Sequence, residues 1–247
     1  MRPRFLLAGL AASACLAGAE ARVDCGAGVL GTSRTLTLPR EAAAYGAEQH
    51  AALPLAAGEV VITFDDGPRL ESTPRVLAAL RRQCVKATFF MVGETLARNT
   101  GLAQRVRAEG HSTGMHGYAH AHAASQPEAD QLADLQAVQD TYRRAFGEPA
   151  PAYRFPFLEE TPTLVDALKS QDITIMSVDV GIDDWLPAQS PRVLADRLVE
   201  RLASRGRGII LLHDAQDQTA DALPLLLTTL KMRGYRVVHL EWEPPSP

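Results

Sequence analysis

The stretch Val60-Val61-Ile62-Thr63-Phe64-Asp65-Asp66-Gly67-Pro68 sets the reading of the whole chain. Its first five residues are apolar or β-branched and read as a strand. Two adjacent carboxylates end that strand, and a Gly-Pro turn carries the chain away. Like charges side by side push one pKa up unless a cation or a metal sits between them. Asp-Asp-Gly-Pro is also ordinary turn chemistry, so this stretch alone leaves a catalytic pair and a plain turn both open.

Outward from it, strand and helix patterns alternate. Ser72 or Thr73 can cap a helix with Pro74 at its first position, followed by Val76, Leu77 and Leu80. Residues 86–91 read as the next strand, 101–109 as a helix stopped by Gly110, and a short strand reaches His116. Ser125 to Glu128 has the spacing of a capping box, ahead of a helix carrying Leu132, Leu135, Val138 and Tyr142 and ending before Gly147. Residues 153–155 form a brief strand, and Thr161-Pro162 opens a helix. Residues 173–180 are a strand, and Ser190-Pro191 opens a helix closed by Gly206. Strands at 208–212 and 235–240 flank a last helix at 220–233. About seven strand–helix units of this kind predict an α/β fold with a parallel sheet, which right-handed crossovers can close into a barrel.

The 247 residues are 46% apolar and 22% charged, enough for a sizeable core in one large domain or two small ones. A net charge of −4 argues against a nucleic-acid footprint. Residues 1–21 read as a signal peptide: Arg2 and Arg4, an apolar run too short to span a bilayer, and Ala19-Glu20-Ala21 as the cleavage site. Export to the periplasm or beyond follows, with no stable membrane insertion after cleavage. Cys15, preceded by Ala12-Ser13-Ala14, weakly resembles a lipoprotein box, but the usual Leu is missing. Residues 22–58 read as an N-terminal arm with a short strand at 35–38, 59–242 as the main domain and 243–247 as a flexible tail. Cys25 and Cys84 remain after cleavage. Either they form a disulfide that staples the arm, or Cys84 is a buried free thiol; the export signal favours the disulfide. Nothing in the sequence speaks to oligomeric state.

The chemistry gathers where strands end, which is where parallel α/β folds build active sites. Asp65 and Asp66 follow the first strand, and His116 and His120 the third. Arg154 and Pro156 close the fourth, Asp179, Asp183, Asp184 and Trp185 follow the fifth, and His213-Asp214 ends the sixth. Two histidines four residues apart with a carboxylate from another strand suit a zinc-like divalent ion with one position left for water. The same pair could be solvated loop histidines, and His111 and His122 carry no assigned role. Arg154 is placed to pair with a carboxylate.

As a set, these motifs resemble the NodB-homology polysaccharide deacetylases, carbohydrate esterase family 4, from about residue 60 to 240. Thr63-Phe64-Asp65-Asp66-Gly67-Pro68 is the strongest element. His116-x-x-x-His120 corresponds to H-[ST]-x-x-H with Gly117 at the hydroxyl position. Arg154-Phe155-Pro156-Phe157 matches R-x-P-Y with Phe for Tyr, and Leu211-Leu212-His213 matches L-x-H. Residues 178–185 approximate D-x-x-D-W, with Gly181 in place of the first Asp and Asp179 two residues earlier. The resemblance implies a distorted barrel of about seven parallel strands and metal-dependent hydrolysis of N-acetyl groups on an acetylated glycan. It further implies Asp66, His116 and His120 as metal ligands, Asp65 as general base and Arg154 as the group orienting it. His213 becomes the acid that protonates the departing amine, tuned by Asp184. Trp185 and Leu211 would line the acetyl pocket, and Phe157 would turn its backbone N–H toward the oxyanion. A divalent ion, zinc by preference, is the expected cofactor. Removal of O-acetyl groups from xylan or a related glycan is the alternative reaction, and a catalytically dead carbohydrate-binding barrel the alternative class. A zinc metalloprotease lacks its H-E-x-x-H.

Overall fold

In the computed structural model of the chain, the described residues are 25–26 and 28–244. The expected signal peptide, Cys15 and residues 245–247 lie outside them. The opening motif becomes β3 (Glu59–Asp65), buried at every position. It pairs in parallel with β4 (Thr88–Met91) on one side and β9 (Gly208–His213) on the other, and its first residues also reach β10 (Arg236–Trp242). From β4 the sheet runs on through β5 (Ser112–Met115), β6 (Ala152–Tyr153) and β7 (Thr174–Met176), and β8 (Val180–Gly181) adds to β9. Every pairing is parallel. Helices α1 (Thr73–Arg82), α2 (Gly93–Arg98), α3 (Thr100–Ala108), α4 (Glu128–Phe146), α5 (Pro162–Lys169), α6 (Pro191–Arg205) and α7 (Asp217–Met232) make the crossovers. The parallel α/β sheet is what the alternation predicted, and the distorted barrel is what the family resemblance implied.

Alternation along β3 sorts its side chains. Val60, Ile62 and Phe64 join the large apolar cluster shared with helix residues such as Leu77, Leu223 and Leu227. Val61 points the other way, into a smaller cluster with Phe90, Met176, Ile209 and Val238. Thr63 and Asp65 share that inner side, which is how a carboxylate arrives at the mouth of the barrel.

Of the expected N-terminal arm, the described residues from 28 to 58 are built into the sheet and its inner cluster. β1 (Thr32–Leu38) pairs with β10 and β2 (Ala44–Tyr45) with β7, while Leu38, Leu53 and Leu55 complete the inner cluster. Cys25 and Cys84 are disulfide-bonded across 59 residues, and Gly31 and Thr32 donate to the carbonyls of Gln83 and Cys84 beside it. Glu243, expected in the tail, donates its N–H to Leu38 and accepts from Arg40 Nε.

Three local readings need correction. The strand expected over 173–180 breaks in two, because the Asp179 carboxylate takes the backbone N–H groups of Ile209 and Ala47, both at 2.6 Å. The capping box at Ser125 does not form: Ser125 donates to His122 O in a short 3₁₀ turn, and Pro127 caps α4. Ser72 and Thr73 do not cap α1, since both hydroxyls are drawn to Asp214, one to its carbonyl and one to its carboxylate. Thr161 and Ser190 do cap their helices, each accepting an N–H at 3.3 Å.

Candidate active site

Asp66 is the first residue past β3 and takes a left-handed conformation, φ +75°. That turn brings its Oδ1 to 3.4 Å from His116 Nε2 and 3.2 Å from His120 Nε2. One ligand atom from each of the three lies within 4.8 Å of the others. Asp66 Oδ1 is buried and makes no hydrogen bond. His116 Nδ1 sits 2.9 Å from the Arg154 carbonyl, which can only accept, so Nδ1 carries the proton and the Nε2 lone pair faces Asp66. An orphaned carboxylate oxygen and two converging imidazole nitrogens are a donor set that fits a divalent cation.

Asp65 is bound differently. Its Oδ1 receives Arg154 Nη1 at 2.8 Å, while Oδ2 lies 3.7 Å from His116 Nε2. Arg154 is wholly buried, and its charge is compensated from every side. Nη1 also donates to Thr63 Oγ1, Nε to the Met176 carbonyl and Nη2 to that of Ser177. Its guanidinium lies 4.2 Å above the Phe90 ring. A buried ion pair braced by four hydrogen bonds from the guanidinium fixes one carboxylate orientation.

Across the mouth, His213 ends β9 in register with Asp65. Its Nδ1 is 2.8 Å from Asp184 Oδ1, so Nδ1–H donates there and Nε2 is left toward the cavity. Asp184 is fully buried, and its Oδ2 accepts the His213 N–H at 2.8 Å and the Thr219 hydroxyl at 2.5 Å. The neighbouring Asp183 carboxylate is gripped by both Nη atoms of Arg201. Asp179, the other candidate for this motif, stitches strands instead and lies outside the site.

Asp65, Asp66, His116, His120 and His213 line one cavity of about 420 Å³, with Phe155, Phe157, Leu158, Trp185 and Leu211 as its apolar walls and Arg154 and Asp184 behind them. Phe157 and Trp185 are each about half exposed at its rim, and Trp185 stands edge-on to His213 at 5.6 Å.

The charges in this cavity pull on one another. Burial opposes the Asp66 carboxylate, but His116 and His120 outweigh it and hold the carboxyl well below the usual range. Burial likewise opposes charge on His116, and Asp65 and Asp66 reverse it upward. Burial is the strongest single influence on His213 and would lower it, but the hydrogen bond and charge of Asp184, joined by the charges of Asp65 and Asp66, together outweigh burial and raise it to about 9. Asp214, buried behind the Asp66-Gly67 turn, is pushed up to about 7 by burial.

All ten sequence-predicted site residues meet here. The sequence reading passed over Thr63, Thr219, Asp134 and the structural role of Asp214. Gly67 was read as turn chemistry, but a Cβ there would lie 2.2 Å from Asp214 Oδ2. Of the two bystanders, His111 is buried and accepts from Ala87 N, whereas His122 stacks on Phe157 at 3.8 Å and so belongs to the rim.

A family model described as polysaccharide deacetylase matches residues 53–176. A peptidoglycan-N-acetylglucosamine deacetylase of Bacillus cereus is 30% identical over 188 residues, covering 74% of this chain and 66% of that protein. A chitin deacetylase of Colletotrichum lindemuthianum is 30% identical over 192 residues, covering 73% and 77%. Among solved structures, the Bdellovibrio bacteriovorus peptidoglycan deacetylase Bd3279 superposes with a TM-score of 0.78 at 30% identity, covering 88% of this chain and 61% of that one. The chain thus spans less than two thirds of the length of the Bacillus and Bdellovibrio proteins.

Proposed function

Because the chain belongs to the polysaccharide deacetylase family, we propose that it is a metal-dependent hydrolase removing N-acetyl groups from glycans that contain N-acetylglucosamine. The observation that carries this reading is one cavity with an Asp-His-His donor set between two oriented proton-transfer groups, Asp65 and His213. Asp66, His116 and His120 would hold the ion, and two imidazoles with one carboxylate favour zinc. Bound there, a divalent ion supplies Lewis acidity toward the acetyl carbonyl and makes the attacking water more acidic.

The chain's own residues do the rest. Arg154 occupies Asp65 Oδ1, so Oδ2 is the atom that takes the proton from the attacking water. Attack at the acetyl carbon breaks the C–N bond, and the amine must leave with a proton. His213 gives it from Nε2, since Asp184 retains Nδ1–H. A pKa near 9 keeps His213 charged, and therefore an acid, at neutral pH. Leu211 and Trp185 shape the space for the acetyl methyl, and Phe157 brings its backbone N–H toward the oxyanion. The signal-peptide pattern at residues 1–21 puts the enzyme outside the cytoplasm, where such glycans occur. Among the described residues no helix is long and apolar enough to cross a membrane.

The test is acetate release from N-acetylglucosamine oligomers and from acetylated xylan, with zinc added or chelated. Zinc-dependent release from the first, exceeding that from the second, is the expected result. Faster release from xylan would make the enzyme an O-acetyl esterase, and none from either would leave a binding module.

A further inference from the structure

Two of the three proposed metal ligands hang on one loop, Met115-His116-Gly117-Tyr118-Ala119-His120, and that loop is bent against its preferences. Gly117 has φ +66° and His120 φ +52°. A non-glycine residue such as His120 is strained in that region and persists there only where its surroundings hold it. The loop joins no strand between the two histidines, so its backbone N–H groups need partners from elsewhere.

Asp134, in the second turn of α4, supplies them. Its Oδ2 accepts the Tyr118 N–H at 2.7 Å and its Oδ1 the Ala119 N–H at 3.0 Å. One carboxylate therefore grips two successive amides midway between the ligands, each through a charge-assisted bond. Beside this grip, Gly117 has no side chain to press on Pro156. A Cβ there would lie 3.4 Å from Asp134 Oδ2 and 3.0 Å from Pro156 Cγ. The sequence pattern looked for a hydroxyl at that position, inside the loop. In this chain the support comes from outside it, from a residue of α4 that lies 14 positions beyond His120.

We infer that Asp134 is a positioning residue for the metal centre, fixing the Tyr118-Ala119 backbone so that His116 and His120 converge before any ion arrives. The inference rests on the metal site proposed above and adds to it a determinant of affinity. Loss of an outer-shell partner typically weakens metal binding about 10–100-fold. Asp134→Ala should fall in that range, and Asp134→Asn, which keeps one accepting oxygen, should fall short of it.

The experiment measures zinc affinity by competition with a chelator. It adds the visible spectrum of the cobalt-substituted protein and hydrogen exchange at Tyr118 and Ala119 in the metal-free protein. The expected order of affinity is wild type, Asn, then Ala. The cobalt bands should shift in both variants, and exchange at the two amides should quicken. Leu135→Ala, which cuts into the buried face of the same helix, serves as the control for plain destabilisation. It should lower the thermal midpoint and leave affinity and cobalt spectrum as in the wild type. Wild-type zinc affinity in Asp134→Ala overturns the inference, as does an affinity loss in Leu135→Ala as large as in Asp134→Ala. A wild-type protein that binds no divalent ion overturns the metal centre instead. Exchange at Tyr118 and Ala119 then still decides whether Asp134 holds the loop.

Discussion

The two walls of the cavity are held by different means. On the metal wall, Asp65, Asp66, His116 and Arg154 lie on strands or one residue beyond them, and the clamp is a single buried arginine reaching β3 and the chain after β7. On the acid wall only His213 is on a strand. Asp184 comes from the segment between β8 and α6, and its other partner, Thr219, from α7. Asp183 next to it answers to Arg201 on α6. The first wall is a local product of sheet register, and the second is assembled from distant segments. A residue removed from the first should cost chemistry outright, whereas one removed from the second should change how the chemistry responds to substrate and pH.

Asp65→Asn is the sharpest probe of the metal wall. Arg154, Thr63 and the sheet keep the side chain in place, and Asn cannot take a proton. Turnover should fall by about 10²–10⁴, the range of general-base catalysis, with stoichiometric metal retained. Should metal vanish together with activity, Asp65 is a ligand, and the division of labour with Asp66 is the wrong way round.

His213→Ala probes the other wall. An amide nitrogen leaves as a strong base and needs a proton, and the alkoxide or phenoxide of an activated ester does not to the same degree. Turnover of an N-acetylated oligomer should drop by about 10²-fold or more, against less than about 10-fold for an activated acetate ester. Metal content should hold. Equal losses on both substrates would mean that His213 shapes the pocket or the metal site, and the contrast between the walls would disappear.

The same contrast governs what the sequence made legible. The wall of the proposed metal site follows in part from short-range rules: alternation puts Thr63 and Asp65 on the inner side of β3, and the end of β5 presents His116, with His120 four residues on in the loop. The acid wall depends on where the strand expected over 173–180 breaks, and nothing local marks that break. It arises because Asp179 binds Ala47 and Ile209, residues 132 and 30 positions away. For the same reason residues 22–58 looked like an arm: β1 and β2 pair in the sheet with β10 and β7, and their own apolar pattern is too short to declare it. Asp134 was hidden more simply. A single aspartate on an amphipathic helix has nothing in its sequence context to separate it from solvated neighbours such as Asp130.

Asp184→Asn should have the smallest effect on maximal turnover and the clearest effect on pH dependence. The one oxygen of Asn can accept the Thr219 hydroxyl and the His213 backbone N–H, while its NH2 group faces Nδ1 as a donor, so the ring stays near its place but is disfavoured in its charged form. What goes is the negative charge that, with the hydrogen bond, lifts His213 to about 9 against its burial. His213 acts while protonated, so activity persists below its folded pKa and fades as pH rises through it. The high-pH limb of kcat should therefore move down in the variant by about one unit or more, since only Asp65 and Asp66 then favour the charged ring against its burial. A cation in the site lowers the limb in both proteins, so the difference between them is the quantity to read. Stability carries the same sign. A pKa raised on folding stabilises the wild type fully below the unfolded value near 6.5, and that contribution is lost as pH climbs through about 9. The gap in thermal midpoint between wild type and Asp184→Asn should accordingly be widest near pH 6 and narrow above pH 9. A limb that stays put while turnover falls would make Asp184 a bracket for the ring, with no hold on its proton, and the acid wall would then be as purely geometric as Arg154 makes the other.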